Sequence, residues 1–167
     1  GYIARSLAEQ FPEKVTGLIL VASSMRPDSQ QQKEHKLTAI RLNSKEKFRG
    51  LSSISILKTL HPLNADHKVL VKRIQEMGRK LGYDVFVKQS MLNRDVYDMG
   101  KIKCPTLIIS GAQDQVRSAE EATELYNQIL NARLETIEHT GHMIPIEQPK
   151  ILASLIFNWL KVQNLKS

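Results

Sequence analysis

The sequence lacks the features that stabilise small secreted domains or anchor a chain in a membrane. It contains a single cysteine, Cys104, so an internal disulfide or a cysteine metal cluster is excluded and a reducing compartment is favoured. Its longest apolar run, residues 15–22, is far shorter than the roughly 20 residues that a membrane-spanning helix requires. We therefore expect a cytoplasmic protein without a membrane span.

Aromatic residues are also scarce, at 5% of the chain, and they are not interleaved with the basic residues. The net charge of +7 is concentrated in residues 26–94, which hold 15 Lys and Arg against 6 Asp and Glu, a net charge of +9. Such an excess can attract acidic substrates, anionic lipid or nucleic acid. Because nucleic-acid binding would need aromatic stacking platforms among the charges, we interpret them as solvated helix faces and expect no nucleic-acid partner.

Helix and strand patterns alternate at both ends of the chain. Two runs are apolar on both faces, which is typical of a strand buried in a parallel sheet, and a third alternates like an edge strand. The predicted strands are Val15–Ala22, Thr106–Ser110 and Leu134–Glu138. Helices are predicted at residues 1–10, after the capping box of Ser118 and Glu121, and from Pro149. This order predicts an α/β fold with three mostly parallel strands flanked by helices.

The middle of the chain is charged and favours helices instead. Helices are predicted at Ser29–Arg41, Ser44–Leu60, Ala65–Leu81 and Tyr83–Leu92, with a strand at 51–57 as the alternative for the second. We therefore divide the chain into a core helix and strand at 1–25, a helical cap or lid at 26–94, and core strands and helices at 95–167. The three histidines of the predicted cap, His35, His61 and His67, are expected at the surface.

Polar residues suited to catalysis follow two of the predicted strands. Asp114 comes just after Thr106–Ser110, and His142 comes shortly after Leu134–Glu138. In an open parallel sheet, functional groups lie on loops just past the carboxyl ends of the strands. We therefore expect Asp114 and His142 on adjacent loops, with carboxylate and imidazole within hydrogen-bond reach.

Several motifs in order resemble the carboxy-terminal half of the α/β-hydrolase superfamily. Each is weak alone, but their order and spacing are specific, and together they cover essentially the whole chain. They are Tyr2–Phe11 with Pro12–Val15, Leu18–Ala22, Cys104–Gly111, Asp114, and Gly141-His142 followed by Glu147, Pro149 and Asn158–Leu160. Residues 25–93 match the variable helical cap of that family.

The resemblance implies a catalytic triad in which Asp114 is the orienting acid and His142 the general base. It implies no cofactor. Gly141 would allow a tight turn before His142, and the order acid before histidine agrees with the family order of nucleophile, acid, histidine. His139 and His142 stand three residues apart and are an alternative pair of metal ligands, although no motif supplies a third ligand.

The nucleophile of this family lies in a Gly-x-Ser-x-Gly turn, which does not occur in this sequence. The nearest pattern, Gly50-Leu51-Ser52-Ser53-Ile54, ends in isoleucine. The resemblance places Gly1 just after the missing serine, so we expect a fragment that is inactive without its upstream half. We also expect the strand edge at Leu18–Val21 to pair with that half or with a second copy.

Two functions from different classes stay open at this point. The first is hydrolysis of a small carboxylic ester, lactone or related acyl substrate. The second is a ligand-binding or interaction protein that uses the fold without catalysis. The chain offers two hints on substrate. Arg94 and Asp95 are similar to a pair found in several short-capped esterases and enol-lactonases, and an apolar inner cap surface is expected from Leu51, Ile54, Ile56, Leu57 and Leu60.

Overall fold

A computed structural model describes residues 1–94 and 98–164. The described chain forms two compact units. The first contains residues 1–26, 59–62 and 98–164, and the second contains residues 27–58 and 63–94. Residues 59–62 thus belong to the first unit although the chain on either side of them lies in the second.

The elements are as follows in chain order. The strands are β1 (Leu18–Val21), β2 (Thr106–Gly111) and β3 (Ala132–Ile137). The helices are α1 (Tyr2–Gln10), α2 (Gln30–Arg41), α3 (Ser53–Leu57), α4 (Lys68–Ser90), α5 (Ala119–Gln128), α6 (Ile144–Glu147) and α7 (Pro149–Val162). Short 3₁₀ helices occupy Pro12–Lys14, Pro62–Asn64 and Met99–Lys101.

The sheet of the first unit has the order β1-β2-β3, and both neighbouring pairs are parallel. Successive residues of β2 point to opposite faces, so Ile108 packs in one apolar cluster while Leu107 and Ile109 pack in another. The first cluster also contains Leu125 of α5, and the second contains Trp159 of α7. The predicted α/β fold of three parallel strands flanked by helices is therefore confirmed.

The first strand is shorter than predicted. β1 begins at Leu18 rather than Val15, because the backbone amide of Val15 closes the preceding turn by donating to the carbonyl of Pro12 at 3.4 Å. The segment before Leu18 is thereby committed to a turn and does not pair with β2. The apolar run of the sequence therefore overestimates the strand at its amino end.

The predicted helix at Ser44–Leu60 is wrong over most of its length, since only α3, Ser53–Leu57, is helical there. Gly50 has a φ of +93°, a left-handed conformation that interrupts any helix through residues 44–60. The strand alternative at 51–57 is not formed either. α3 begins because the Ser52 side chain accepts a hydrogen bond from the amide of Ser55 at 3.2 Å.

The other helices of the second unit lie close to their predicted positions. α2 begins with a capping box in which Ser29 and Gln32 each accept from the other's backbone amide. The predicted break at Gly82 is present as a kink within α4, where φ is +79°. Phe48 stacks on Phe86 at 5.0 Å between ring centroids and meets Tyr83 edge-on.

No helix within residues 1–94 and 98–164 is long and apolar enough to cross a membrane.

Candidate active site

Asp114 lies on the loop that follows β2, which we call the acid loop (residues 112–117). Its Oδ1 accepts hydrogen bonds from two backbone amides, those of Val116 at 2.7 Å and Arg117 at 2.8 Å. These two bonds fix the side chain and leave Oδ2 for another donor. The side chain of Asp114 is completely buried, at 0% exposure.

His142 lies on the loop after β3, which we call the histidine loop (residues 138–143). Its Nδ1 lies 2.9 Å from Oδ2 of Asp114, so the structure brings together the two residues that the sequence singled out. The imidazole is 28% exposed. With Nδ1 bonded to a buried carboxylate, the other ring nitrogen, Nε2, is the one left for proton transfer.

The two loops are bound to each other. The amide of Gln113 donates to the carbonyl of Thr140 at 3.1 Å, and the Gln113 side chain accepts from the amide of Thr140 at 3.2 Å. Just before them, the amide of Ala112 donates to the carbonyl of Ile137 at 2.9 Å. Because β2 and β3 are parallel and adjacent, their loops meet at one end of the sheet, and these bonds fix their spacing.

The backbone of His142 is held by a segment remote in the chain. The carbonyl of Thr59 accepts from the amides of His142 at 2.8 Å and of Met143 at 3.1 Å. Two residues after Thr59, His61 is buried at 8% exposure, so its predicted surface position is wrong. The reason is that residues 59–62 pack in the first unit rather than with their neighbours in the sequence. His35 and His67 are exposed, as predicted.

The sequence pattern predicted no role for Thr59 or His61. Glu147 entered the prediction only as part of the motif that follows Gly141-His142. Glu147 accepts hydrogen bonds from both the histidine loop and the 59–62 segment. The spacing of five residues between His142 and Glu147 is the one signal in the sequence that marks it. For Thr59 and His61 the sequence carries no such signal.

His139, the alternative metal ligand, is exposed and has a left-handed backbone with φ of +54°. Its ring meets that of His61 edge-on at 5.8 Å between centroids. Within the described parts of the chain, no group of three or more His, Cys, Asp or Glu side chains is arranged to hold a metal ion. The geometry at His142 is that of a histidine–carboxylate pair.

Two sequence features pointed to a substrate: the Arg94-Asp95 pair and the apolar residues of the predicted cap. Asp95 lies outside the described residues, and the guanidinium of Arg94 donates to Asp28 in the second unit. Of the residues expected to form an apolar inner surface, Ile56 and Leu60 are buried. The other three, Leu51, Ile54 and Leu57, are exposed, and Ile54 most of all at 71%.

Comparison with known proteins covers the part of the chain that contains both the acid loop and the histidine loop. A sequence model of the alpha/beta hydrolase fold matches residues 1–149, which include Asp114 and His142. Over 96% of its length the chain is 30% identical to the monoacylglycerol lipase ABHD6 of Mus musculus, of which it covers 52%.

Two solved structures are similar in fold. A thermophilic esterase from Thermogutta terrifontis matches 97% of this chain with a TM-score of 0.84 and 24% identity, over 61% of its own length. An enol-lactonase from Burkholderia xenovorans LB400 matches 95% of this chain with a TM-score of 0.80 and 16% identity, also over 61% of its length. The chain thus spans about half the length of the curated relative and about three fifths of these structures.

Proposed function

Because this chain belongs to the α/β-hydrolase fold family, we propose that Asp114 and His142 are the acid and the base of a catalytic triad that hydrolyses a small carboxylic ester, lactone or related acyl substrate. The observation that carries the proposal is the 2.9 Å contact between Nδ1 of His142 and Oδ2 of the buried Asp114. The similarity to a monoacylglycerol lipase favours a carboxylic ester within this class.

The chemistry follows from that contact. The carboxylate of Asp114 accepts the Nδ1 proton of His142 and so fixes the tautomer in which Nε2 carries a lone pair. Nε2 then removes the proton of a serine hydroxyl as the oxygen attacks the acyl carbon. The imidazolium that forms is stabilised by Asp114, and it gives the proton to the leaving alcohol oxygen as the acyl–oxygen bond of the substrate breaks. A water molecule, deprotonated by the same Nε2, then cleaves the acyl-serine, which releases the carboxylic acid and returns the proton to the serine.

We propose that the serine lies outside these 167 residues, because the Gly-x-Ser-x-Gly turn of the family does not occur among them. On this proposal residues 1–25 and 95–167 contribute to the hydrolase core, and residues 26–94 form the cap that selects the substrate. The 167 residues alone would then be inactive, and the upstream half of the protein would be their partner. We call the protein with whatever residues precede and follow this sequence the natural-length protein.

The test measures hydrolysis of p-nitrophenyl esters and of a monoacylglycerol by the natural-length protein. We expect Asp114→Asn to lower kcat by about 10⁴-fold and His142→Ala by at least as much. Glu13→Gln, which changes an exposed carboxylate of the first unit outside the acid and histidine loops, is the control and should leave kcat unchanged.

Two results would overturn the proposal. One is a natural-length protein that folds but hydrolyses none of these substrates. The other is a His142→Ala variant as active as the wild type. The first result, combined with measurable binding of an apolar acyl ligand, would favour the ligand-binding alternative.

A further inference from the structure

We propose that Glu147 is a positioning residue for His142. Its carboxylate hydrogen-bonds to both the histidine loop and the 59–62 segment, and these bonds fix the backbone from which the imidazole projects. The inference deepens the proposed function and rests on it. The contacts that support it all lie within the first unit.

The Glu147 carboxylate accepts hydrogen bonds from two separate parts of the chain. Its Oε1 accepts from the backbone amide of His61 at 2.7 Å. Its Oε2 accepts from the backbone amide of Gly141 at 2.9 Å and from the hydroxyl of Thr140 at 3.3 Å. One side chain therefore joins the residue directly before His142 to the 59–62 segment.

A second set of hydrogen bonds joins the same two segments on the carboxy-terminal side of His142. The carbonyl of Thr59 accepts from the amides of His142 and Met143, as described above. The backbone on both sides of the His142 side chain is thus held by the same short segment, through Glu147 before it and through Thr59 after it. Rotation of the histidine loop away from the acid loop would break both sets of bonds.

The backbone of the 59–62 segment packs directly against Gly141 of the histidine loop. A methyl group on Gly141 would lie 2.6 Å from the carbonyl carbon of Leu60 and 2.8 Å from the amide nitrogen of His61. Only glycine fits at this position without moving one of the two backbones. Leu60 itself is buried at 1% exposure, which leaves the 59–62 segment little room to move aside.

The hydrogen-bond pattern explains why a carboxylate is needed. Both oxygens of Glu147 act as acceptors towards backbone amides, and an ionised carboxylate can accept at both. A glutamine of the same size has one acceptor oxygen, so its NH₂ group would face either the amide of His61 or that of Gly141, donor against donor. Glu147→Gln should therefore release one side of the connection while preserving the volume of the side chain.

The test compares Glu147→Gln with Glu138→Gln in the natural-length protein. Glu138 is an exposed glutamate of the histidine loop whose Oε2 accepts from the Gln113 side chain at 3.4 Å, a bond that a glutamine oxygen can also accept, so it is the matched control. We expect Glu147→Gln to lower ester kcat on the order of 100-fold with KM unchanged, because a misplacement of about 1 Å in a catalytic group costs roughly this much. Glu138→Gln should leave both constants unchanged.

A second readout does not depend on activity. In ¹⁵N-histidine NMR spectra, the Nδ1 proton of His142 should be protected from exchange by its bond to Asp114. We expect this resonance to broaden or disappear in Glu147→Gln and to persist in Glu138→Gln, at temperatures well below unfolding. A residue that only stabilised the fold would shift the melting temperature without changing this signal.

Retention of both the Nδ1 resonance and kcat in a folded Glu147→Gln protein would overturn the inference. If that variant does not fold, Thr140→Val removes the hydroxyl donor to the same carboxylate and keeps the backbone amides of His61 and Gly141 that donate to it. It should lower kcat a few-fold with KM unchanged, and an unchanged kcat would equally overturn the inference. If His142→Ala retains full activity, the proposed function fails, and the Nδ1 resonance still decides whether Glu147 positions the imidazole.

Discussion

Arg94 donates to Asp28 across 3.0 Å between Nη1 and Oδ1, so an ion pair joins the two ends of the described part of the second unit. The Asp28 side chain is 7% exposed and also pairs with Lys36 through its other oxygen. A carboxylate this buried requires its cations, because an uncompensated charge in such a position is strongly destabilising.

We therefore predict that Arg94→Met, which keeps an unbranched apolar stem but removes the charge, destabilises the second unit. Lys36 still pairs with Asp28, so the expected loss is moderate, about 1–3 kcal/mol. Urea unfolding of the natural-length protein measures it. The control is Asp84→Asn, which breaks the exposed Lys45–Asp84 pair and should have no measurable effect. Equal effects of the two variants would contradict the prediction.

The contacts of Gly111 lead to a second prediction. A methyl group at Gly111 would lie 2.3 Å from the carbonyl oxygen of Gly141, at the point where β2 meets the histidine loop. Because backbone atoms cannot rotate aside as a side chain can, Gly111→Ala should cost about 1–3 kcal/mol or more.

The same variant should also separate the acid loop from the histidine loop, so the Nδ1 resonance of His142 should weaken in its NMR spectrum. Gly100→Ala is the control, since a methyl group there would meet only one atom of the Asp98 side chain, at 3.2 Å. A Gly111→Ala protein with the unfolding midpoint of the wild type would contradict the prediction.

The sequence predicted what depends on local pattern. A strand apolar on both faces must be covered on both faces, which is why β2 could be located from Thr106–Ser110 alone. The meeting of Asp114 with His142 followed from that, since loops after adjacent parallel strands share one end of the sheet.

What the sequence did not predict depends on contacts between distant residues. Nothing in the local composition of residues 59–62 distinguishes them from the cap segment around them, and their position follows from the fit of Leu60 and His61 against Gly141. The burial of His61 was therefore missed. The helix predicted through residues 44–60 failed because apolar periodicity does not show the left-handed backbone of Gly50.

A third prediction concerns Cys104. Burial raises the pKa of its thiol above the ordinary value of 9.0, and the residue is only 8% exposed. Since the thiolate is the reactive form, alkylation by iodoacetamide at pH 8 should be far slower in the folded protein than for a free thiol such as glutathione.

Urea should raise the alkylation rate in step with unfolding. The raised pKa also means that, above pH 9.0, the folded state keeps a proton that the unfolded chain has lost, so the thiol's contribution to stability should fall as pH rises further. Rapid alkylation of the protein in the absence of denaturant would show that Cys104 is accessible and would contradict the prediction.

The last prediction concerns the edge of the sheet. Within the parts of the chain that the structure describes, β1 pairs with β2 and with no other strand. The amide of Ala22 donates to Ile109 of β2, and that of Leu18 donates to Pro105 just before β2. By alternation, the amide and carbonyl groups of Ile19 and Val21 point away from β2. An apolar strand with such an edge is a template for another chain.

We therefore expect the isolated 167 residues to associate through Leu18–Val21. Hydrogen exchange can test this residue by residue. At low protein concentration the amides of Ile19 and Val21 should exchange faster than that of Leu20, which faces β2, and they should become protected as concentration rises. Light scattering should show a rising mass over the same range. A monodisperse monomer that unfolds in one sharp transition, with Ile19 and Val21 exchanging at the same rate at every concentration, would show that this edge does not pair.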